Sequence, residues 1–182
     1  MGDERLRLFC ALQLPGETVD ELAGWQVVNL PGGRIVPPEN LHVTLAFLGS
    51  RPAGEVPAIV DELRAASAAT GRVELRPLRY RETRTVGMIV CEDVTGAAAA
   101  LAGEVEERLA RLGVYRRAAR PWLPHVTVLR FKERKGLAPA VTNIRSIHVV
   151  RSALYRSLLS RGSTEKSGAT YDALATAALG GR

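Results

Sequence analysis

The chain has 182 residues, 46% of them hydrophobic and 24% charged, with a formal net charge of +6, enough for one domain or two small lobes sharing a core. Its longest apolar runs, such as TGAAAALAG, are too short and too rich in alanine to cross a bilayer. MGDERLRLFCAL places acids ahead of its apolar stretch with no small-residue cleavage site after it, so a cytoplasmic protein without membrane contact is expected. The basic balance favours an anionic partner, and Cys10 and Cys91, set in LFCAL and MIVCE, read as buried thiols outside any disulfide framework or metal knuckle.

RLRLFCALQLP alternates Leu6, Leu8, Cys10, Leu12 and Leu14 against Arg5, Arg7, Phe9, Ala11 and Gln13, the period of a strand with one face on a core. Thr18 stands three before Glu21, which predicts a capping box opening a short amphipathic helix. A loop rich in Pro and Gly, PGGRIVPPEN, leads to a strand over about 41 to 48, and Val56, Ile59, Val60 and Leu63 then recur at helical spacing until Gly71. Strands are predicted over 73 to 81 and 86 to 92. A helix over 96 to 112 carries Leu101, Val105, Leu109 and Leu112 on one face and the pairs Glu104/Arg108 and Glu107/Arg111. A strand over about 123 to 131 follows, then strands in SIHVV, ALYRSLL and TYDALATAAL, with SRGSTEKSG as a turn before the last.

One triplet recurs among only three histidines: His42-Val-Thr44 in NLHVTLAFLG and His125-Val-Thr127 in PHVTVLRF, 83 residues apart. The repeat, each time near a helix, predicts two similar β-rich lobes packed together within one domain spanning residues 1–182, with the two motif strands facing each other. Residues i and i+2 of a strand share a face, so each His projects with its Thr while Val43, Leu45, Val126 and Val128 enter the core. Two imidazoles and two hydroxyls suit a phosphodiester: a neutral His takes a proton from a nucleophile, a protonated His gives one to the leaving oxygen, and the hydroxyls donate to the non-bridging oxygens. The residues alone do not assign which His does which. His148 is followed two residues later by Val150 and reads as structural or exposed. Neither motif supplies the three or four ligands of a zinc site, and no nucleophile elbow or Walker A loop is present, so no metal or cofactor is expected.

With its paired His-x-Thr motifs and RLFCALQLP, VPPENLHVTLAFLG, PWLPHVTVLRF and LYRSLLSRG…ATYDAL in order, the chain resembles the 2H phosphoesterase superfamily. It is most similar to that superfamily's branch of RNA 2′,3′-cyclic phosphodiesterases, also called 2′-5′ RNA ligases. The resemblance implies a bilobal, duplicated α+β fold with two antiparallel β-sheets, flanked by helices, around a central cleft, and metal-free hydrolysis of a terminal 2′,3′-cyclic phosphate to a 2′-phosphomonoester, with reversible 2′-5′ ligation as the reverse step. It gives His42 the role of general acid and His125 that of general base, with Thr44 and Thr127 holding the phosphate. Arg130, three after Thr127, is carried over as a phosphate ligand, although strict alternation sends it to the other face and a bulge or a long reach is needed. Its counterpart in the first motif is Phe47. Phe9, on the polar face of the first strand, could stack a base or serve the core. The partner implied is RNA with a 2′,3′-cyclic phosphate end, tRNA fragments included, acted on by a monomer.

The stretch 111–135 holds Arg111, Arg116, Arg117, Arg120, Arg130, Lys132, Arg134 and Lys135 against Glu133, either a track for an RNA backbone or a solvated face. Two other readings compete: a phosphodiesterase for a small cyclic phosphate or nucleotide, and an RNA-binding module without turnover.

Overall fold

The computed structural model describes residues 4–159 and 168–180. Its elements in chain order are β1 (Arg5–Gln13), α1 (Gly16–Asn29), β2 (Arg34–Ile35), β3 (His42–Pro52), α2 (Val56–Ala68), β4 (Val73–Glu82), β5 (Val86–Asp93), α3 (Ala97–Arg111), β6 (His125–Arg130), β7 (Ile147–Val149), β8 (Arg151–Leu159) and β9 (Ala169–Ala178). The turn expected over 160–168 lies, but for Gly168, outside the described residues.

The α+β class is as expected, and the two expected sheets are the halves of one antiparallel sheet, ordered β7-β4-β5-β6-β3-β1-β8-β9 with β2 also on β6. The motif strands β3 and β6 meet edge to edge, and their register is a single pair, Val43 with Val126. Beyond that seam the strands separate. β2, a strand too short for its pattern to show in the sequence, takes over the edge of β6 by pairing Arg34 with Arg130 and Ile35 with Leu129.

Val43 and Val126 point into a core shared with Leu8, Cys10 and Leu12 of β1, Trp25 of α1, Ile59 and Leu63 of α2, and Leu101, Val105 and Leu109 of α3. Each such buried side chain contributes about 1.5–3 kcal/mol, so the sheet cannot turn over and the residues between the core positions are held on the opposite face. β1 is buried on both faces at its centre, Phe9 and Ala11 included; on the face away from the core, the rings of His42, Phe47, Tyr155 and Tyr171 cover Phe9. Both cysteines are free and buried, and burial pushes each thiol up to about 12.

α1 begins three residues earlier than the capping box predicts: Pro15 stands at the N-cap position, no side chain caps the helix, and Thr18 is buried within the first turn. Glu104 and Glu107 pair with Arg108 and Arg111 at 2.6 and 3.7 Å as the helix spacing requires. Among the described residues no helix is long and apolar enough to cross a membrane.

Gly87 of β5 lies where β5 and β6 shift register. A Cβ there would overlap the Tyr80 hydroxyl and lie 2.7 Å from its Cζ. Gly87→Ala is expected to cost about 1–3 kcal/mol by overpacking, seen as a lower denaturation midpoint in urea at unchanged slope; an unchanged midpoint would show that Tyr80 moves aside freely.

Candidate active site

Either side of the Val43–Val126 pair, the antiparallel register sets His42 toward Thr127 and Thr44 toward His125 on the face opposite the core. The four residues come from two adjacent strands of one sheet, where the repeat predicted strands of two lobes facing each other across a cleft. The local hydrogen bonds repeat as well. His42 Nδ1 lies 2.7 Å from the carbonyl oxygen of Asn40, and His125 Nδ1 lies 2.8 Å from that of Leu123, in each case two residues upstream. A carbonyl only accepts, so each Nδ1 carries the hydrogen and each Nε2 is the nitrogen left for chemistry. His42 Nε2 is 3.0 Å from the Thr44 hydroxyl. Asn40 is itself buried, and its Nδ2 donates to Ala169 O at 2.7 Å, which ties the carbonyl under His42 to β9.

The bulge that Arg130 requires is present. Against β5, Thr127 pairs with Met88 and Leu129 with Gly87, so Val128 is the extra residue. Val128 and Leu129 are both buried, and Arg130 emerges exposed on the His125 face. β3 repeats the device: Thr44 pairs with Ala11 and Ala46 with Cys10, Leu45 is extra, and Phe47 emerges 60% exposed on the His42 face. The half-sites thus differ in one projecting side chain, an aromatic ring in the first and a guanidinium in the second.

Phe9 does not lie open to a base. It is 1% exposed, its ring centroid 4.9 Å from that of His42, 5.2 Å from that of Tyr155 and 4.9 Å from that of Tyr171. It supports the imidazole from below, and Tyr171 meets His42 edge-on at 5.4 Å. The exposed aromatic of this cleft is Phe47, which lies next to Phe9 at 5.5 Å. Tyr155 and Tyr171 escape a reading of the motifs alone because β8 and β9 reach His42 only through the sheet order. A signal was available in β4, where Arg79 and Arg81 are exposed and stand in register with Val90 and Met88, and through them with His125 and Thr127.

The aromatic setting sets the charge of His42. Burial disfavours the imidazolium, the bond to the Asn40 carbonyl offsets part of this, and the charges of His125 and Arg130 add to the lowering, so the pKa is pushed down from 6.5 to about 4. Burial therefore holds His42 neutral at pH 7, with Nε2 unprotonated.

The basic stretch divides between both readings. Arg111, Arg117 and Arg134 pair with Glu107, Glu106 and Glu82, whereas Arg116 lines a groove of about 720 Å³ beside Phe47, and Arg130, Lys132 and Lys135 line one of about 560 Å³ beyond the other half-site. His148 is exposed near Glu74 and Arg72, away from the pair. Among the described residues no three His, Cys, Asp or Glu are grouped to hold a metal ion.

By NMR, the His42 ring is expected to titrate near pH 4, and Arg130→Gln to raise its midpoint by removing a cation that disfavours the imidazolium. A wild-type midpoint at or above 6.5 would contradict the buried geometry.

Residues 13–80 match the family described as LigT like Phosphoesterase. The chain is 31% identical over 171 residues to the RNA 2′,3′-cyclic phosphodiesterase of Escherichia coli (strain K12), covering 88% of this chain and 92% of that protein. It is 34% identical over 146 residues to the protein of the same name from Thermus thermophilus, covering 75% and 72%. The crystal structure of TT0787 of Thermus thermophilus superposes with a TM-score of 0.80 at 29% identity, over 97% of this chain and 99% of that one. With both His-x-Thr motifs brought to one cleft and likeness of this extent, the chain belongs to the LigT-like phosphoesterase family.

Proposed function

We propose that the protein is an RNA 2′,3′-cyclic phosphodiesterase that opens a terminal cyclic phosphate to the 2′-phosphomonoester by acid and base catalysis from His42 and His125. The observation that carries this reading is the pairing of Val43 with Val126, which brings two Nε2 atoms and two threonine hydroxyls to one face of the sheet. Thr44 and Thr127 donate to the non-bridging oxygens, and Arg130 neutralises their charge. His125 Nε2 removes a proton from water as its oxygen attacks phosphorus. The bond from phosphorus to the 3′ oxygen breaks, and that oxygen leaves with the proton of His42 Nε2. The product is a 2′-phosphate beside a free 3′-hydroxyl, and the proton taken by His125 returns the pair to balance through solvent.

The low pKa of His42 fits this role once substrate is included. An anionic phosphate within hydrogen-bond reach of Nε2 stabilises the imidazolium that burial disfavours, so substrate binding itself loads the acid. Phe47, exposed beside the reacting groups, takes the place first expected for Phe9 as the surface on which the terminal base stacks. The reading is of a monomer acting in the cytoplasm on RNA fragments, those of tRNA included. An RNA hydroxyl in place of water would run the step as 2′-5′ ligation.

An RNA ending in a 2′,3′-cyclic phosphate, incubated in EDTA, is expected to yield a 2′-phosphate, with His42→Ala and His125→Ala each slower by about 10²–10⁴-fold. Turnover of small cyclic nucleotides but not RNA would move the assignment to the small-substrate reading, and RNA binding without turnover would replace catalysis altogether. The roles separate on a phosphodiester with a p-nitrophenolate leaving group, which needs no proton. There His42→Ala is expected to recover most of its rate and His125→Ala to remain impaired; the opposite pattern would exchange the two assignments.

A further inference from the structure

The groove beyond Arg130 is built as a site. Its lining includes Gly32, Gly33, Arg34, Arg130, Lys132 and Lys135, with Glu133 as its acid. Arg34 and Arg130 are direct cross-strand partners, their backbones about 5 Å apart. Buried contacts hold both walls of the groove in place.

On one wall, fully buried Gln26 donates from Nε2 to Val36 O at 3.0 Å and to Val128 O at 2.8 Å, clamping the chain just after β2 against β6. Gly33 seats so closely that a Cβ would lie 2.7 Å from Leu129 Cδ1 and 3.3 Å from Arg130 O. On the other wall, buried Glu82 accepts from the Gly136 and Leu137 amides at 2.7 and 3.0 Å and from the Tyr80 hydroxyl at 3.1 Å, pinning the loop that carries Lys132 and Lys135. A cationic groove fixed in this way, and continuous with the reacting phosphate through Arg130, is suited to a second phosphate of the same strand.

We infer that Arg34, with Lys132 and Lys135 on the facing wall, forms a subsite for the phosphodiester immediately 5′ of the terminal nucleotide, so that the enzyme selects oligonucleotide ends over cyclic mononucleotides. This rests on the cyclic-phosphodiesterase reading and adds the substrate length to it. Arg130 serves the scissile phosphate, and Arg34 serves the next one.

The test compares a nucleoside 2′,3′-cyclic phosphate, which has one phosphate, with a dinucleotide bearing an internal phosphodiester and the same cyclic end. Wild type is expected to favour the dinucleotide in kcat/KM, and Arg34→Gln to reduce that preference by ten-fold or more, with Arg34→Lys restoring part of it. The slope of log kcat/KM against log salt for the dinucleotide should become shallower by about 0.7 in the glutamine variant, one phosphate contact on a single strand. Equal losses on both substrates, or no loss on either, would overturn the inference.

Binding of the 2′-phosphorylated dinucleotide and mononucleotide, followed by fluorescence on the same folded proteins, gives a readout that does not need turnover. If wild type turns over neither substrate but Arg34→Gln weakens the dinucleotide selectively, the subsite stands and the catalytic reading fails. If turnover is normal and binding discriminates nothing, the catalytic reading stands and the subsite fails.

Discussion

One backbone pair, Val43 with Val126, decides what this molecule can do. It is the seam between two half-sheets whose helices pack on the same side, and both valines are sealed in that core. A slip of one residue in either strand would turn its His and Thr inward and expose a valine. The core therefore enforces the register, and the register sets the four polar groups against one another.

The same seam explains why the half-sites are built alike but behave differently. Each His gives its Nδ1–H to a carbonyl two residues upstream, and each strand bulges after its Thr so that the sixth residue of the motif returns to the cleft. What lies beneath each His differs. Phe9, Tyr155 and Tyr171 pack against His42 and remove water from it, whereas His125 stands opposite Val90 of β5. A symmetric backbone thus holds one imidazole that resists a proton until an anion arrives, facing a partner with a different environment. Two chemically distinct groups on a duplicated frame are what an acid and base pair requires.

Most of the frame was legible because it rests on short-range patterns: period two in β1, i,i+4 pairs in α3, and a triplet repeated around two of three histidines. Arg130 shows where such reasoning stops. Alternation excluded it from the cleft, and only the pairing of Thr127 and Leu129 with Met88 and Gly87 reveals the extra residue that returns it. The two readings of Phe9, base stacking and core, stayed open for a related reason: its burial depends on Tyr155 and Tyr171, more than 140 residues away in sequence and brought near only by the order of β1, β8 and β9. β2 left no period to detect, and the buried Gln26 that fixes the chain beside it looks like an ordinary polar residue in α1 until its two carbonyl partners are known.

The claim at the centre is that His42 and His125 face one bound phosphate together. Titrating protein labelled with 15N in its histidine rings with a 2′-phosphorylated nucleotide addresses it directly. The resonances of both are expected to move with a single dissociation constant, that of His42 toward the imidazolium, while exposed His148 stays in place. Movement of only one of the pair, or two separate binding curves, would show that the motifs do not form one site.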